Sequence, residues 1–187
     1  MTLYIECCPR EASRTRRLAA ALLSKLGDYT LLDLCSEPLL PLDRDRLSRR
    51  EECLRLGKSD DPILRYAKQF AAAETIVIAA PFWDLSFPAR LKLYIENIYA
   101  SGIVSRYNEQ GIPVGLCRAK RLYFVTTAGG PLYPRFGYEY LRELATNYFG
   151  ISETVLFKAE LLDVIGNDPD AILSRAEAEI DRFFAER

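Results

Sequence analysis

The chain contains no histidine. That absence removes Ser–His and Cys–His nucleophile pairs, imidazole metal ligands and the usual general base near neutral pH. If the chain is an enzyme, a cofactor carries the difficult chemistry. No stretch approaches the roughly 18 uninterrupted apolar residues of a membrane helix. The opening MTLYIECCPR lacks the basic start and apolar core of an export signal, so a cytoplasmic protein with no membrane partner is expected. No C-x-x-C pair occurs among Cys7, Cys8, Cys35, Cys53 and Cys117, which reads as reduced thiols, with a reactive thiol at Cys7 or Cys8 as the alternative. Net charge is also lacking: 25 basic against 26 acidic side chains leave −1, too little to suggest a nucleic-acid partner. There is no internal repeat, no low-complexity linker, and no G-x-G-x-x-G after the first apolar segment. A nicotinamide-first dinucleotide fold is therefore unlike this chain.

What is present organises itself around Glu74 to Gly102. Ile76 to Ala80 is a continuous apolar run with the β-branched content of a buried strand. It breaks at Pro81 into Phe82-Trp83-Asp84-Leu85, which holds the only Trp. Phe87, Leu91, Tyr94, Ile95 and Ile98 then recur at helical spacing, with Pro88 in the first turn. The unit is strand, aromatic loop, helix. Residues 2–6 and 29–34 predict two earlier strands separated by a helix that starts at about Ser13 and stops at Gly27. The mixed-charge run within 36–60 reads as a solvated helix or loop face, or as a flap over a neighbouring site or subunit. A helix is expected from Asp61-Pro62 to Ala73, and a Gly- and Pro-bearing excursion over 103–119. A fourth strand falls at Arg121 to Thr126, a helix at 136–149, and a fifth strand at Thr154 to Ala159. The last helix begins at Asp168-Pro169 and turns Ile172, Ala176, Ile180 and Phe183 inward.

Strands alternating with helices over 187 residues predict one α/β domain spanning 1–187. The expected architecture is a flavodoxin-like, doubly wound, five-stranded parallel sheet of order 2-1-3-4-5 flanked by helices. The loops after strands 1, 3 and 4 then converge. The first offers Cys8 and Ser13-Arg14-Thr15, with hydroxyls and free amides at a helix start suited to a phosphate. Ser13 is equally a plain N-cap. The second offers Pro81, Phe82, Trp83, Asp84 and Leu85 as aromatic surface, which packing into the core would explain as well. The third offers Thr127, Ala128, Gly129 and Gly130, where glycine lets backbone approach a flat ring; an ordinary strand-to-helix turn is the alternative. Together they describe a mononucleotide site for FMN.

Three stretches, IAAPFWDLSFPARLKLYIENI, GLCRAKRLYFVTTAGG and CPREASRT, resemble the FMN-dependent NADH-azoreductase and NAD(P)H:quinone oxidoreductase family. The resemblance is strongest from Ile76 to Gly130 and weakest over 40–60. It implies tightly held FMN, NADH or NADPH as donor, quinones or azo and nitroaromatic compounds as acceptors, and a homodimer with the active site near the interface. By position it also implies that Cys8 and Ser13-Arg14-Thr15 form the phosphate loop, with the ring held by Phe82 to Leu85 and by Thr127 to Gly130. Two departures stand out. Asp84 replaces a frequent amide, and Thr127-Ala128 stand where Ser-Arg is common. One shared site predicts ping-pong kinetics, with Tyr107 and Tyr133 as possible wall residues and no catalytic side chain assigned. The competing readings are a flavodoxin-type electron carrier and an FMN-less binding protein of the same fold.

Overall fold

A computed structural model describes residues 1–187. In chain order it forms β1 (Thr2–Glu6), α1 (Arg14–Leu26), β2 (Tyr29–Asp33), α2 (Arg44–Arg55), α3 (Arg65–Ala72), β3 (Thr75–Ala79) and α4 (Ala89–Ile98). There follow β4 (Ser105–Tyr107), β5 (Pro113–Gly115), β6 (Arg121–Thr127), α5 (Tyr138–Glu143), β7 (Glu153–Ala159) and α6 (Pro169–Ala185). The main sheet runs β2-β1-β3-β6-β7 with every neighbouring pair parallel. Counting only its own strands, that is the order 2-1-3-4-5 expected from the sequence. No helix is long and apolar enough to cross a membrane.

Strand alternation divides the interior into two layers. Leu3, Ile5, Ile76, Ile78, Leu122 and Phe124 join a 31-residue core beneath α3, α4 and α5. Tyr4, Val77, Ala79, Tyr123 and Val125 join a 16-residue core beneath α1 and α6. Helices α1 and α6 are also laced across their exposed edges: Arg17 pairs with Asp170 and Glu177, and Lys25 with Asp181. The carboxyl ends of β1, β3, β6 and β7 therefore emerge side by side over this double-layered base.

Several details differ from the sequence expectations. The charged run does not differ: it is the solvated helix that was one of its expected forms, α2, capped by Asp43 accepting from the Arg46 amide at 2.9 Å, with Cys53 its only buried residue. Pro88 lies outside α4, with extended backbone (φ −56, ψ 144), so the helix begins at Ala89. In α6 it is Leu173, with Ala176 and Ile180, that is fully buried, while Ile172 and Phe183 pack from the edge. The excursion after α4 folds into an antiparallel hairpin of β4 and β5. Here Gly115 meets Gly150 so closely that a Cβ on Gly115 would lie 2.1 Å from the Gly150 amide nitrogen. The helix expected over 136–149 is α5, starting at Tyr138 and widening into a π-helical turn over Leu144–Phe149.

Candidate functional site

Loop 1 is shaped by one arginine. Arg16, in the first turn of α1, donates from Nε to the Glu6 carboxylate at 2.7 Å. Its other guanidinium nitrogens donate to the carbonyls of Cys8 (3.0 Å), Glu11 (2.6 Å) and Arg10 (3.2 Å). Glu6 is buried at the end of β1 and also accepts from the Tyr4 hydroxyl at 2.9 Å, so a carboxylate inside the sheet fixes the rim above it. Hydrogen bonding to Glu6 raises the Arg16 pKa above its ordinary value, so the brace stays charged.

Ser13 caps α1 by accepting the Arg16 amide at 3.2 Å. The amides of Arg14 and Thr15 donate to no group of the protein. Two free N–H groups at the positive end of a thirteen-residue helix form an anion seat. The Thr15 side chain is committed elsewhere. Its hydroxyl bonds that of Thr127 at 2.6 Å, both are buried, and the pair ties loop 1 to the end of β6.

The loop after β3 is pinned to β6 by the Phe82 amide on the Thr127 carbonyl at 2.9 Å. Trp83 and Ser86 then exchange backbone hydrogen bonds, N to O at 3.0 and 2.7 Å. Between them Asp84 and Leu85 both have positive φ, 49 and 66, as a tight primed turn requires. Neither Phe82 nor Trp83 plugs the core. Phe82 is half-buried and Trp83 is 40% exposed.

These loops enclose a cleft of about 380 Å³ lined by residues of four loops. Of the residues anticipated from sequence, Ser13, Arg14, Thr15, Pro81, Phe82, Trp83, Thr127, Ala128 and Gly129 line it. Four others do not. Cys8 is buried in the layer beneath α1, its thiol against the Ala79 carbonyl at 3.7 Å, because strand alternation turns it with Tyr4. Burial pushes that thiol up to about 11, against the hydrogen bond with Ser13 that lowers it. Cys7 is buried on the opposite layer and pushed up to about 12, again chiefly by burial, so neither thiol is poised to react. Asp84 and Leu85 project from the turn into solvent, and Gly130 lies past the cleft edge. Tyr107 and Tyr133 are exposed and are not part of the lining.

The fourth loop was missed from sequence. After β7 the chain continues to bond the third loop: Leu161, Leu162 and Asp163 amides donate to the carbonyls of Gly130, Ala128 and Gly129 at 3.0, 3.2 and 2.9 Å. This brings Leu162 and Asp163 into the cleft. The Asp163 carboxylate accepts from Arg14 at 2.6 Å. It also overlies Gly129, where an added Cβ would come within 2.3 Å of it. The available signal was topological, since β7 neighbours β6 and its loop leaves on the same face.

The site thus combines free amides, a glycine surface and half-exposed aromatics, with no acid–base pair suited to catalysis. A family described as having a flavodoxin-like fold matches residues 1–184. An FMN-dependent NADH:quinone oxidoreductase 2 from Clostridium acetobutylicum is 36% identical over 186 residues, covering 91% of each chain. The chain belongs to this family. Another FMN-dependent NADH:quinone oxidoreductase, from Coprothermobacter proteolyticus, is 32% identical over 193 residues and covers 96% of each chain. Among solved structures, an FMN-dependent NADH-azoreductase from Bacillus anthracis in complex with FMN superposes with a TM-score of 0.81. It is 22% identical and covers 99% of this chain and 98% of its own, a likeness of fold. Family membership and fold agree with the order of the sheet.

Proposed function

We propose that the chain is an FMN-dependent oxidoreductase that takes hydride from NADH or NADPH and reduces quinones or azo and nitroaromatic compounds. The observation that carries this reading is the convergence of an anion seat, a glycine surface and an aromatic wall in one cleft. The names of the relatives, and FMN in the B. anthracis azoreductase, support the choice of cofactor.

The residues fit a flavin mononucleotide. The free Arg14 and Thr15 amides suit its phosphate, and the backbone of Thr127 to Gly129, which lines the cleft, suits the edge of a flat group. Phe82 and Trp83 suit an aromatic face. When bound, FMN supplies the chemistry of accepting a hydride and passing on its electrons. The protein binds, orients and excludes water, which is why a chain without histidine suffices. Donor and acceptor using one cleft in turn implies ping-pong kinetics, and intersecting double-reciprocal lines would contradict it. A second copy of the chain covering exposed Trp83, Leu85, Tyr133 and Phe136 is part of the same reading, to be checked by sedimentation.

The deciding experiment is an absorbance spectrum after incubation with FMN and dialysis. A retained flavin spectrum that NADH bleaches and a quinone restores, over many turnovers, is expected. Retention without turnover would indicate an electron carrier. A chain that neither binds FMN in titration nor turns over with FMN supplied would end the oxidoreductase assignment.

A further inference from the structure

Asp163 is out of place in an anion seat. Its Oδ1 takes Arg14, the one basic residue of α1 that lines the cleft, at 2.6 Å. Its backbone is held by the Gly129 carbonyl, its Oδ2 hangs over Gly129, and both residues line the cleft. The carboxylate therefore stands between the helix end and the glycine surface. Both partners are accessible to water, 41% for Arg14 and 65% for Asp163, and exposed pairs of this kind contribute little to folding. The pair is easily opened. A phosphate ester carrying about −1.5 to −2 charges at neutral pH would meet repulsion from Asp163 and find Arg14 already taken.

We propose that Asp163 is an internal competitor for Arg14 that weakens retention of phosphorylated ligands at this site and so sets its selectivity between phosphorylated and phosphate-free flavins. A phosphate arriving at the Arg14 and Thr15 amides displaces the carboxylate from the guanidinium, and Asp163 reclaims Arg14 when the ligand leaves. No bond is made or broken beyond this exchange of ion pairs. The proposal rests on the flavin reading for its ligand, and on Arg14 and Asp163 for its mechanism.

The test is titration of flavin-free full-length protein with FMN and with riboflavin, comparing wild type with Asp163→Asn, which keeps the shape and removes the charge. Expected is about tenfold tighter FMN binding in the variant, with riboflavin affinity unchanged within about twofold; about 1.4 kcal/mol corresponds to that tenfold. In an Arg14→Gln background the gain from Asp163→Asn shrinks, because only the repulsion is left to relieve. Unchanged or weaker FMN binding in Asp163→Asn would overturn the proposal. So would an equal gain for riboflavin, or an undiminished gain without Arg14. Wild type binding neither flavin would defeat the flavin reading instead. Stabilisation by inorganic phosphate, read as a Tm shift, then decides the proposal: a larger shift in Asp163→Asn upholds it and an equal one overturns it.

Discussion

Leu85 adopts the left-handed conformation, φ 66, with its side chain 52% exposed. The Cβ there crowds the following carbonyl oxygen, at a cost of about 1–2 kcal/mol, while Asp84 at φ 49 tolerates the region because a short polar side chain can bond locally. The turn keeps its shape because Trp83 and Ser86 bond each other and the Ser86 hydroxyl donates to the Phe136 carbonyl at 2.8 Å. Leu85→Gly is therefore expected to stabilise the isolated flavin-free subunit by about 0.5–1 kcal/mol after glycine's greater entropy loss, or on the order of 2–3 °C in Tm. Asp84→Gly gains less. A Leu85→Gly melt below wild type would show that the side chain makes contacts that outweigh its backbone strain. Residue identity was also where sequence reading was weakest. Cys8 looked like a ligand because it follows β1, yet its place in the strand alternation sends it beneath α1.

At the scale of elements, the strands and long helices were legible because burial imposes their periods. Ile76 to Ala80 could be little other than a central strand, and Asp168-Pro169 little other than a helix start: the Asp168 carboxylate accepts the amides of Asp170 and Ala171 at 2.9 and 3.1 Å. The hairpin was not legible. Strands of three residues carry no period, and β5 packs on the rest of the chain through two touching glycines, Gly115 and Gly150, 35 residues apart in number. The π-helical widening over Leu144–Phe149 left no pattern either. Asp163 was not legible either, because nothing in its local sequence marks a contact with the cleft; what brings it there is the parallel pairing of β7 with β6, which delivers its loop to the same face. The glycine contact makes a sharp prediction. In Gly115→Ala the new methyl meets backbone that cannot rotate away, so a loss of about 2–3 kcal/mol is expected. Urea unfolding measures it, and a midpoint within error of wild type would mean that the hairpin simply lifts off.

Across the whole molecule, thiols are buried in both layers of the sandwich. Burial pushes Cys7 and Cys117 up to about 12 and Cys8 up to about 11, whereas an unfolded thiol ionises near 8.5. The folded chain thus keeps protons that the unfolded chain releases, so stability is intact below about pH 8 and declines as pH rises towards 11–12. Each such thiol contributes a slope of about 1.4 kcal/mol per pH unit inside that window. Urea midpoints at pH 7, 9 and 10 check this, and a midpoint constant to pH 10 would refute it. Cys117→Ala is expected to flatten the decline. Arg16 has a different molecule-wide consequence. Because Glu6 anchors it from within the sheet, residues 8 to 11 lose their freedom when the chain folds. A ligand then meets a rim already set, and docks in the manner of a rigid body, with little ordering entropy left to oppose it.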